Sequence, residues 1–130
     1  MSTRSVGQLG EELAVKYLKR SGYTVLDRNS HQSYNELDIV AANRDYIIFV
    51  EVKTRSVFAN DMYSAFGTPA SAVTKSKQMR TVAAAKKYLS VNAGSRHSGK
   101  QPRMDVIEVY LDKDNGKLLK LNHITDAFGA

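Results

Sequence analysis

Asn35-Glu-Leu-Asp38 and Glu51-Val-Lys53 are the segments that bear most directly on the fold and chemistry of this chain. Each lies in a run of residues typical of a β-strand. Side chains alternate across a strand, so Glu51 and Lys53 point to the same face, roughly 6.6–7 Å apart. If the two strands pair as a hairpin, Asp38 is brought beside them. The pattern therefore predicts two acids and a lysine on one face of a sheet.

This combination suits a divalent metal ion that acts on phosphate. A carboxylate at the end of an apolar strand is costly to bury unless something neutralises it. Mg²⁺ prefers oxygen ligands and keeps water and substrate phosphate oxygens in its remaining positions. Lys53 would then orient a water for attack on phosphorus. The alternative is a solvent-exposed Glu51–Lys53 ion pair at a strand end.

Composition indicates one basic domain spanning residues 1–130. Lysine and arginine number 19 against 13 acidic residues, a net charge of +6. This excess favours a polyanionic partner, nucleic acid first and an anionic membrane surface second. The chain has no cysteine, which excludes disulfides and thiolate metal sites. Residues 1–7 lack the apolar run of a secretory signal, and no stretch approaches the ~20 apolar residues of a membrane span. We therefore expect a cytoplasmic protein with no membrane partner.

The order of predicted elements is α-β-β-β-α-β-β, which predicts a mixed sheet flanked by helices. The helices are a first one from Ser5 to Ser21, ended by Gly22, and a long one from Pro69 to about Ser90. The strands are 23–26, 37–42, 46–54, 104–112 and 118–121. Between them we expect a polar turn at 27–34, an irregular loop at 55–68 and a polar linker at 91–102, with a final helical turn at 124–128.

The first helix offers a third acid. Its predicted apolar stripe consists of Val6, Leu9, Leu13 and Tyr17, widened by Ala14 and Leu18. Glu11 sits at the edge of that stripe, whereas Glu12 lies on the solvated face. Glu11 is either part of the acidic constellation or simply a favourable anion in the first turns of a helix.

Several ordered motifs resemble a known family. They are Gly10-Glu-Glu-Leu-Ala14, Gly22-Tyr23, Asn29, Glu36-Leu-Asp-Ile-Val40, Phe49-Val-Glu-Val-Lys-Thr-Arg55, Gly67-Thr-Pro69, Lys77-Gln78, Tyr88-Leu89 and Arg103-Met-Asp-Val106. Together they resemble the YraN-like family of the PD-(D/E)xK nuclease superfamily, which is related to archaeal Holliday junction resolvases. The resemblance implies a restriction-endonuclease-like fold.

The resemblance also implies roles for individual residues. Asp38, Glu51 and the backbone carbonyl of Val52 would hold Mg²⁺, with Mn²⁺ as a substitute, and Glu11 would assist directly or through water. Lys53 would act on the attacking water, and cleavage would leave a 5′-phosphate and a 3′-hydroxyl. Asn35 stands where the family usually has glycine, and asparagine tolerates the left-handed backbone better than most residues.

The long helix carries Gln78 at the edge of an expected buried stripe of Met79, Val82, Ala85 and Leu89. The superfamily often places a polar residue of this helix near the site, so Gln78 would orient a water or phosphate. The alternative is a glutamine that bonds nearby backbone.

Cations and aromatic residues offer nucleic-acid contacts. The cations are Arg55, Lys75, Lys77, Arg80, Lys87 and Arg103, with Arg96 and Lys100 near irregular segments. The alternative for the helical ones is a solvated helix face. Phe58, Tyr63 and Phe66 would stack on bases, pack the loop or form a dimer contact. For His31, His97 and His123 we expect surface positions, and for Asp105 a structural ion pair with Arg103.

These observations favour a Mg²⁺-dependent endonuclease acting on DNA, branched or junction DNA in repair or recombination being one candidate substrate. The alternatives are a non-catalytic nucleic-acid-binding module on a nuclease fold and an RNA-processing nuclease. A homodimer would suit a two-fold branched substrate.

Overall fold

The strands form one five-stranded mixed sheet, and the computed structural model describes residues 5–32, 35–61 and 73–129 of the chain. The elements in chain order are α1 (Val6–Arg20), β1 (Thr24–Gln32), β2 (Asn35–Ala42), β3 (Tyr46–Val57), a 3₁₀ turn (Ala59–Asp61), α2 (Lys75–Val91), β4 (Gln101–Asp112) and β5 (Leu118–Phe128). The sheet order is the chain order. All neighbouring pairs are antiparallel except β3 and β4, which run parallel. A parallel pair needs a crossover connection, and the segment containing α2 supplies it.

The two helices cover opposite faces of the sheet. Ile48 and Val50 of β3 pack with Ala14 and Leu18 of α1, whereas Phe49 packs in the cluster that contains α2. The apolar run at 47–50 is therefore buried on both sides, as a central strand of an α/β fold requires. This architecture confirms the predicted mixed sheet flanked by helices and is consistent with the restriction-endonuclease-like fold.

The ends of α1 match the prediction. The Ser5 hydroxyl accepts from the N–H of Gln8 at 3.1 Å, and the Gln8 side chain accepts from the N–H of Ser5 at 3.0 Å, forming a capping box. Gly22 follows the helix with φ of +92°, a conformation that glycine adopts without cost.

The predicted stripe of α1 packs against the sheet except at Val6, which is 48% exposed. Ala14 and Leu18 are buried, and Leu9, Leu13 and Tyr17 are partly buried against the same cluster. Gly10 and Val15 are also buried on this helix. Packing is close at Gly10, where a Cβ atom would lie only 1.9 Å from Oγ1 of Thr54 in β3. Glycine lets the helix approach the sheet along this line, which rotates the contact face away from Val6.

The predicted polar turn at 27–34 is wrong for the described residues, because β1 continues to Gln32. β1 is an edge strand, so polar residues are tolerated along it. Its register with β2 shifts between Val25 and Asp27, and Asn29 has a φ of +51°. Bulges of this kind let an irregular polar strand remain paired.

Two other boundaries also differ from the predictions. β3 continues to Val57 because it pairs with β4 as far as Asp112. The long helix begins at Lys75, where the Thr74 hydroxyl accepts from the N–H of Lys77 at 3.1 Å. Its predicted start at Pro69 lies outside the described residues.

Residues 124–128 belong to β5 rather than to a helical turn, since Phe128 pairs with Met104 of β4. The linker predicted at 91–102 is shorter, because α2 continues to Val91 and β4 begins at Gln101. The buried residues of α2 are Thr81, Ala84, Ala85 and Tyr88. The expected burial of Met79 is wrong, as its side chain is 68% exposed.

Candidate active site

Asp38 and Glu51 meet where β2 and β3 stop pairing. The ladder between these strands consists of Ile39–Ala42 opposite Ile47–Val50, so Asp38 and Glu51 would form the next pair. In place of that pair, Oδ2 of Asp38 accepts a hydrogen bond from the backbone N–H of Val52 at 3.0 Å. The Asp38 side chain therefore lies between the two strands.

The Val52 carbonyl points toward the same side as its N–H. In a strand, both polar backbone groups of a residue face the same neighbouring strand. Because the N–H of Val52 donates to Asp38 of β2, the carbonyl oxygen of Val52 is also directed toward β2. Oxygen atoms of Asp38, Glu51 and Val52 thus surround the point at which the strands separate.

Glu51 is a buried acid with an altered proton affinity. Its residue is only 7% exposed, and burial together with the neighbouring charge of Asp38 raises its pKa to about 7. Burial also raises the pKa of Asp38, although the hydrogen bond from Val52 and the charge of Lys77 oppose this rise. The two carboxyl groups therefore disfavour simultaneous ionisation unless a cation is near.

Two lysines supply positive charge to Glu51. Nζ of Lys53 lies 3.7 Å from Oε1 of Glu51, and Nζ of Lys77 lies 3.8 Å from Oε2. Lys53 comes from the same strand, as its spacing predicts. Lys77 comes from α2, where it precedes the buried Thr81 and Ala84 by four and seven residues. That helical spacing places Lys77 on the face that packs against the sheet, and it is a sequence signal for the contact.

Glu11 approaches the acids from α1. Burial raises the pKa of Glu11, and the charge of Asp38 raises it further, while Arg28 and a hydrogen bond from Asn29 lower it. Oε1 of Glu11 is buried and has no hydrogen-bond partner among the described residues. The alternative, in which Glu11 is only a favourable anion in the first turns of the helix, does not explain this burial. An acid in that role remains exposed and hydrated.

The donor set fits a hard divalent cation in part. Asp38, Glu51 and the Val52 carbonyl offer oxygen ligands, and the pKa values of Glu11, Asp38 and Glu51 are all raised. One oxygen of Glu11 has no hydrogen-bond partner in the part of the chain that the structure describes. However, no group of three acidic or histidine side chains within residues 5–32, 35–61 and 73–129 converges as a metal-binding set. This geometry suits Mg²⁺, which keeps several waters, better than an ion that needs a complete protein shell.

Gln78 has a local hydrogen bond. Its Nε2 donates to the carbonyl of Val73 at 2.8 Å, just before the first turn of α2. This is the backbone contact that the sequence left as the alternative. The bond orders the start of the helix that carries Lys77.

The family can now be assigned by comparison with known proteins. The profile described as "Uncharacterised protein family UPF0102" matches residues 10–109. A UPF0102 protein of Caldanaerobacter subterraneus subsp. tengcongensis is 39% identical over 128 residues, covering 98% of each chain. One from Alkaliphilus oremlandii is 43% identical over 125 residues, covering 96% of this chain and 98% of its own. The chain belongs to the UPF0102 family.

This UPF0102 membership confirms the resemblance to the YraN-like group. The matched range 10–109 contains every residue assigned above to the candidate site. Among solved structures, an XisH family protein from Nostoc punctiforme superposes with a TM-score of 0.34 at 12% identity, covering 87% of this chain and 98% of its own. That likeness is too weak to add to the description of the UPF0102 fold.

The cations expected to contact nucleic acid have different surroundings in this UPF0102 protein. Lys75, Arg80 and Lys87 are exposed on α2. Arg55 is half-buried and close enough to Tyr110 to lower the pKa of its hydroxyl, against the larger effect of burial. Arg103 is held internally, as described below, so its guanidinium is not available to a phosphate.

The aromatic residues of the predicted loop are described only in part. Phe58 is 43% exposed, and Nζ of Lys113 lies 5.2 Å from its ring centroid. Tyr63 and Phe66 lie outside the described residues.

No helix in the described ranges is long and apolar enough to cross a lipid bilayer.

A buried polar network lies on the α1 side of the sheet, and the sequence predicts only part of it. Asp105 is fully buried and accepts two hydrogen bonds from Arg103, at 2.8 and 2.7 Å, which confirms the predicted ion pair. Nε2 of His123 lies 2.7 Å from the same carboxylate, and its Nδ1 lies 2.9 Å from the hydroxyl of Tyr17. The surface position expected for His123 is therefore wrong, since its side chain is 8% exposed. The expectation holds for His31, whose side chain is 76% exposed.

The other neighbours of the Arg103 guanidinium are aromatic side chains. Its guanidinium donates to the hydroxyl of Tyr23 at 2.7 Å and lies 4.7 Å from the ring centroid of Tyr46. These contacts connect β4 to β3 and to the residue that precedes β1. No sequence pattern indicates them, because they join residues up to 80 positions apart.

Proposed function

We propose that this UPF0102 protein is a metal-dependent endonuclease that hydrolyses phosphodiester bonds in DNA, with branched or junction DNA as the preferred substrate class. The observation that carries the proposal is the meeting of Asp38 and Glu51 at the point where β2 and β3 separate, with Lys53 beside Glu51. Strand geometry directs the Val52 carbonyl toward the same gap, where it would add a further oxygen. A net charge of +6 supports a polyanionic substrate.

Each residue of the candidate active site has a separate proposed role in hydrolysis. Asp38, Glu51 and the Val52 carbonyl would hold Mg²⁺, and Glu11 would contribute through water. When bound, the metal supplies Lewis-acid stabilisation of charge on the phosphate and lowers the pKa of a coordinated water. The Lys53 ammonium orients the attacking water and stabilises negative charge that develops on the phosphate. The backbone N–H of Val52 fixes the Asp38 carboxylate in one orientation.

Lys77 completes the charge balance. In this arrangement both lysines lie within 4 Å of Glu51 and offset part of its negative charge. If Asp38 and Glu51 hold a cation, Lys77 would be free to contact a phosphate oxygen in place of Glu51. Because Lys77 comes from the helix face next to the exposed Lys75, the same helix would then contact the backbone of the nucleic acid.

Cleavage of a labelled substrate panel tests the proposal. The panel contains a four-way junction, a flap, a duplex, a single strand and an RNA hairpin, each with Mg²⁺, Mn²⁺ or a chelator. Asp38→Asn keeps an oxygen that can accept from Val52 while it removes the charge, and Lys53→Met keeps length without the ammonium. We expect each variant to lose about 100-fold or more in rate. Asp114→Asn, which changes an exposed turn carboxylate, serves as the matched control and should cleave normally.

A binding module is the second candidate. It is favoured by the lack of three converging acidic or histidine side chains in the described ranges, since a weak metal site would make a poor enzyme. Such a module would bind nucleic acid with salt-dependent affinity and leave every substrate intact. Cleavage that is equal in the wild type and both site variants would mark a contaminating nuclease and remove the support for the enzyme.

A further inference from the structure

A basic cleft lies at the opposite end of the sheet from Asp38 and Glu51. Its volume is about 240 Å³, and it is lined by Gly22, Thr24, Ala42, Asn43, Arg44, Arg96, His97 and Lys100. Three connections meet there: the turn after α1, the turn between β2 and β3, and the segment between α2 and β4. From Asp38 to Ala42, the distance along β2 is roughly 14 Å at the rise of an extended strand. The cleft is therefore separate from the candidate active site.

Among the described residues, the cations of the cleft have no carboxylate partner. Arg44, Arg96 and Lys100 form no ion pair with a carboxylate in the described parts of the chain. Nζ of Lys100 donates to the backbone carbonyl of Asn43 at 2.6 Å, which fixes its ammonium at the wall of the cleft. Asp45 is the acid nearest in sequence, and its backbone carbonyl accepts from Gln101. Unpaired cations gathered around one concave site repel one another unless an anion is bound.

His97 adds a second, independent observation. Its Nδ1 is buried and has no hydrogen-bond partner among the described residues. Buried polar atoms are paired in most proteins, so this nitrogen has a hydrogen-bonding capacity that the described residues do not use. Burial lowers the pKa of the His97 ring, and the charges of Lys100 and Arg96 lower it further, which places both cations close to the ring.

We propose that this cleft binds a phosphate group of the nucleic-acid backbone, at a contact separate from the candidate active site. Arg44 and Arg96 supply the charge, Lys100 is already held at the wall, and His97 offers a ring nitrogen. The proposal rests on a nucleic-acid substrate, as proposed above, but not on cleavage. Because the two sites lie at opposite ends of β2 and β3, the protein would contact the nucleic acid at two points rather than one.

The salt dependence of nucleic-acid binding tests whether the basic cleft contacts a phosphate. Binding of a fluorescent junction is measured by anisotropy at several salt concentrations, with a chelator present so that no substrate is cut. The variant is Arg44→Ala/Arg96→Ala. The control Lys16→Ala/Lys117→Ala removes two exposed charges from other surfaces. The slope of log K against log salt falls by about 0.9 for each phosphate that the protein no longer neutralises. We expect the slope to fall by about one or two in the cleft variant and to stay unchanged in the control.

Two NMR titrations identify the ligand of the cleft. Amide NMR spectra of the wild-type protein are recorded with inorganic phosphate alone and with the oligonucleotide, following the signals of Asn43, His97 and Lys100. Shifts with the oligonucleotide that disappear in the cleft variant support the proposal. Shifts with inorganic phosphate but none with the oligonucleotide would assign the cleft to a free anion and overturn it. Equal slopes in the variant and the control would overturn it as well. A protein that binds through the cleft but never cleaves would refute the nuclease proposal while leaving this one intact.

Discussion

The Asp38 carboxylate and the backbone N–H of Val52 are joined by a hydrogen bond of 3.0 Å across the gap between β2 and β3. A side chain here replaces a backbone group of the ladder. As a result, the acid is directed by the sheet itself rather than by a flexible loop. Rigid strands hold functional groups more tightly than loops do, which would suit the proposed metal site with its few protein ligands.

Metal binding should stabilise the folded protein. A cation that binds only the native state raises stability by RT ln(1 + [L]/Kd), about 1.4 kcal/mol at a tenfold excess over Kd. We therefore expect 10 mM Mg²⁺ to raise the Tm of the wild type by several degrees and to leave that of Asp38→Asn unchanged. Differential scanning fluorimetry measures both, with Asp114→Asn as the control that should still respond. An equal rise in all three proteins would indicate a general salt effect and no site at Asp38.

Glu51 should make stability fall as the pH rises toward neutrality. Its pKa is raised to about 7 in the folded state, so the native protein binds a proton that the unfolded chain has already released between pH 4.5 and 7. The free energy of unfolding therefore decreases across this window. Glu51→Gln removes the cost and should stabilise the protein at pH 8 by on the order of 1–3 kcal/mol, with little difference near pH 4.5.

Urea denaturation at several pH values measures the effect of Glu51→Gln. Glu12→Gln on the same protein is the comparison, since it changes a carboxylate outside the acidic site. A Glu51→Gln protein that is less stable than the wild type at pH 8 would show that the ion pairs with Lys53 and Lys77 outweigh the cost of burial.

Loss of the Asp105 carboxylate should destabilise the fold strongly. Burial alone would raise the pKa of Asp105, but hydrogen bonds from His123, Arg103 and the backbone of Asp126 hold it below its usual value. Asp105→Ala leaves the Arg103 guanidinium, 13% exposed, without its partner. Breaking a buried pair in this way costs about 3–5 kcal/mol. Chemical denaturation should show this loss, while His31→Ala, which removes an exposed ion pair, should change stability by less than about 1 kcal/mol.

The packing of α1 on β3 should be sensitive to one methyl group. An added Cβ at Gly10 would overlap the side chain of Thr54, whereas nothing lies within 4 Å of a Cβ at Gly7. Gly10→Ala should therefore destabilise by about 1–3 kcal/mol, and Gly7→Ala should stabilise by up to about 1 kcal/mol through helix propensity. Thermal unfolding compares the two. Thr54→Ala should recover part of the stability that Gly10→Ala removes, and no recovery would place the strain elsewhere.

Much of the architecture follows from patterns between neighbours in the chain. The double-sided apolar run at 47–50, the cap at Ser5 and the alternation that puts Glu51 and Lys53 on one face are all local, so they are visible in the sequence. Boundaries of edge strands are not, because the polar residues of β1 and the end of β5 remain extended only through pairing with their neighbours. The same reason explains the errors at 27–34 and 124–128.

By itself, the sequence determined the mixed α/β class, the family and the positions of Asp38, Glu51 and Lys53. Tertiary structure alone decided which distant groups meet: Lys77 with Glu51, Asp105 with His123 and Tyr17, and the cations of the basic cleft with one another. Local patterns determine which face of an element a side chain occupies. The packing of helices on the sheet and the register between strands determine what that face contacts, and both depend on the whole chain.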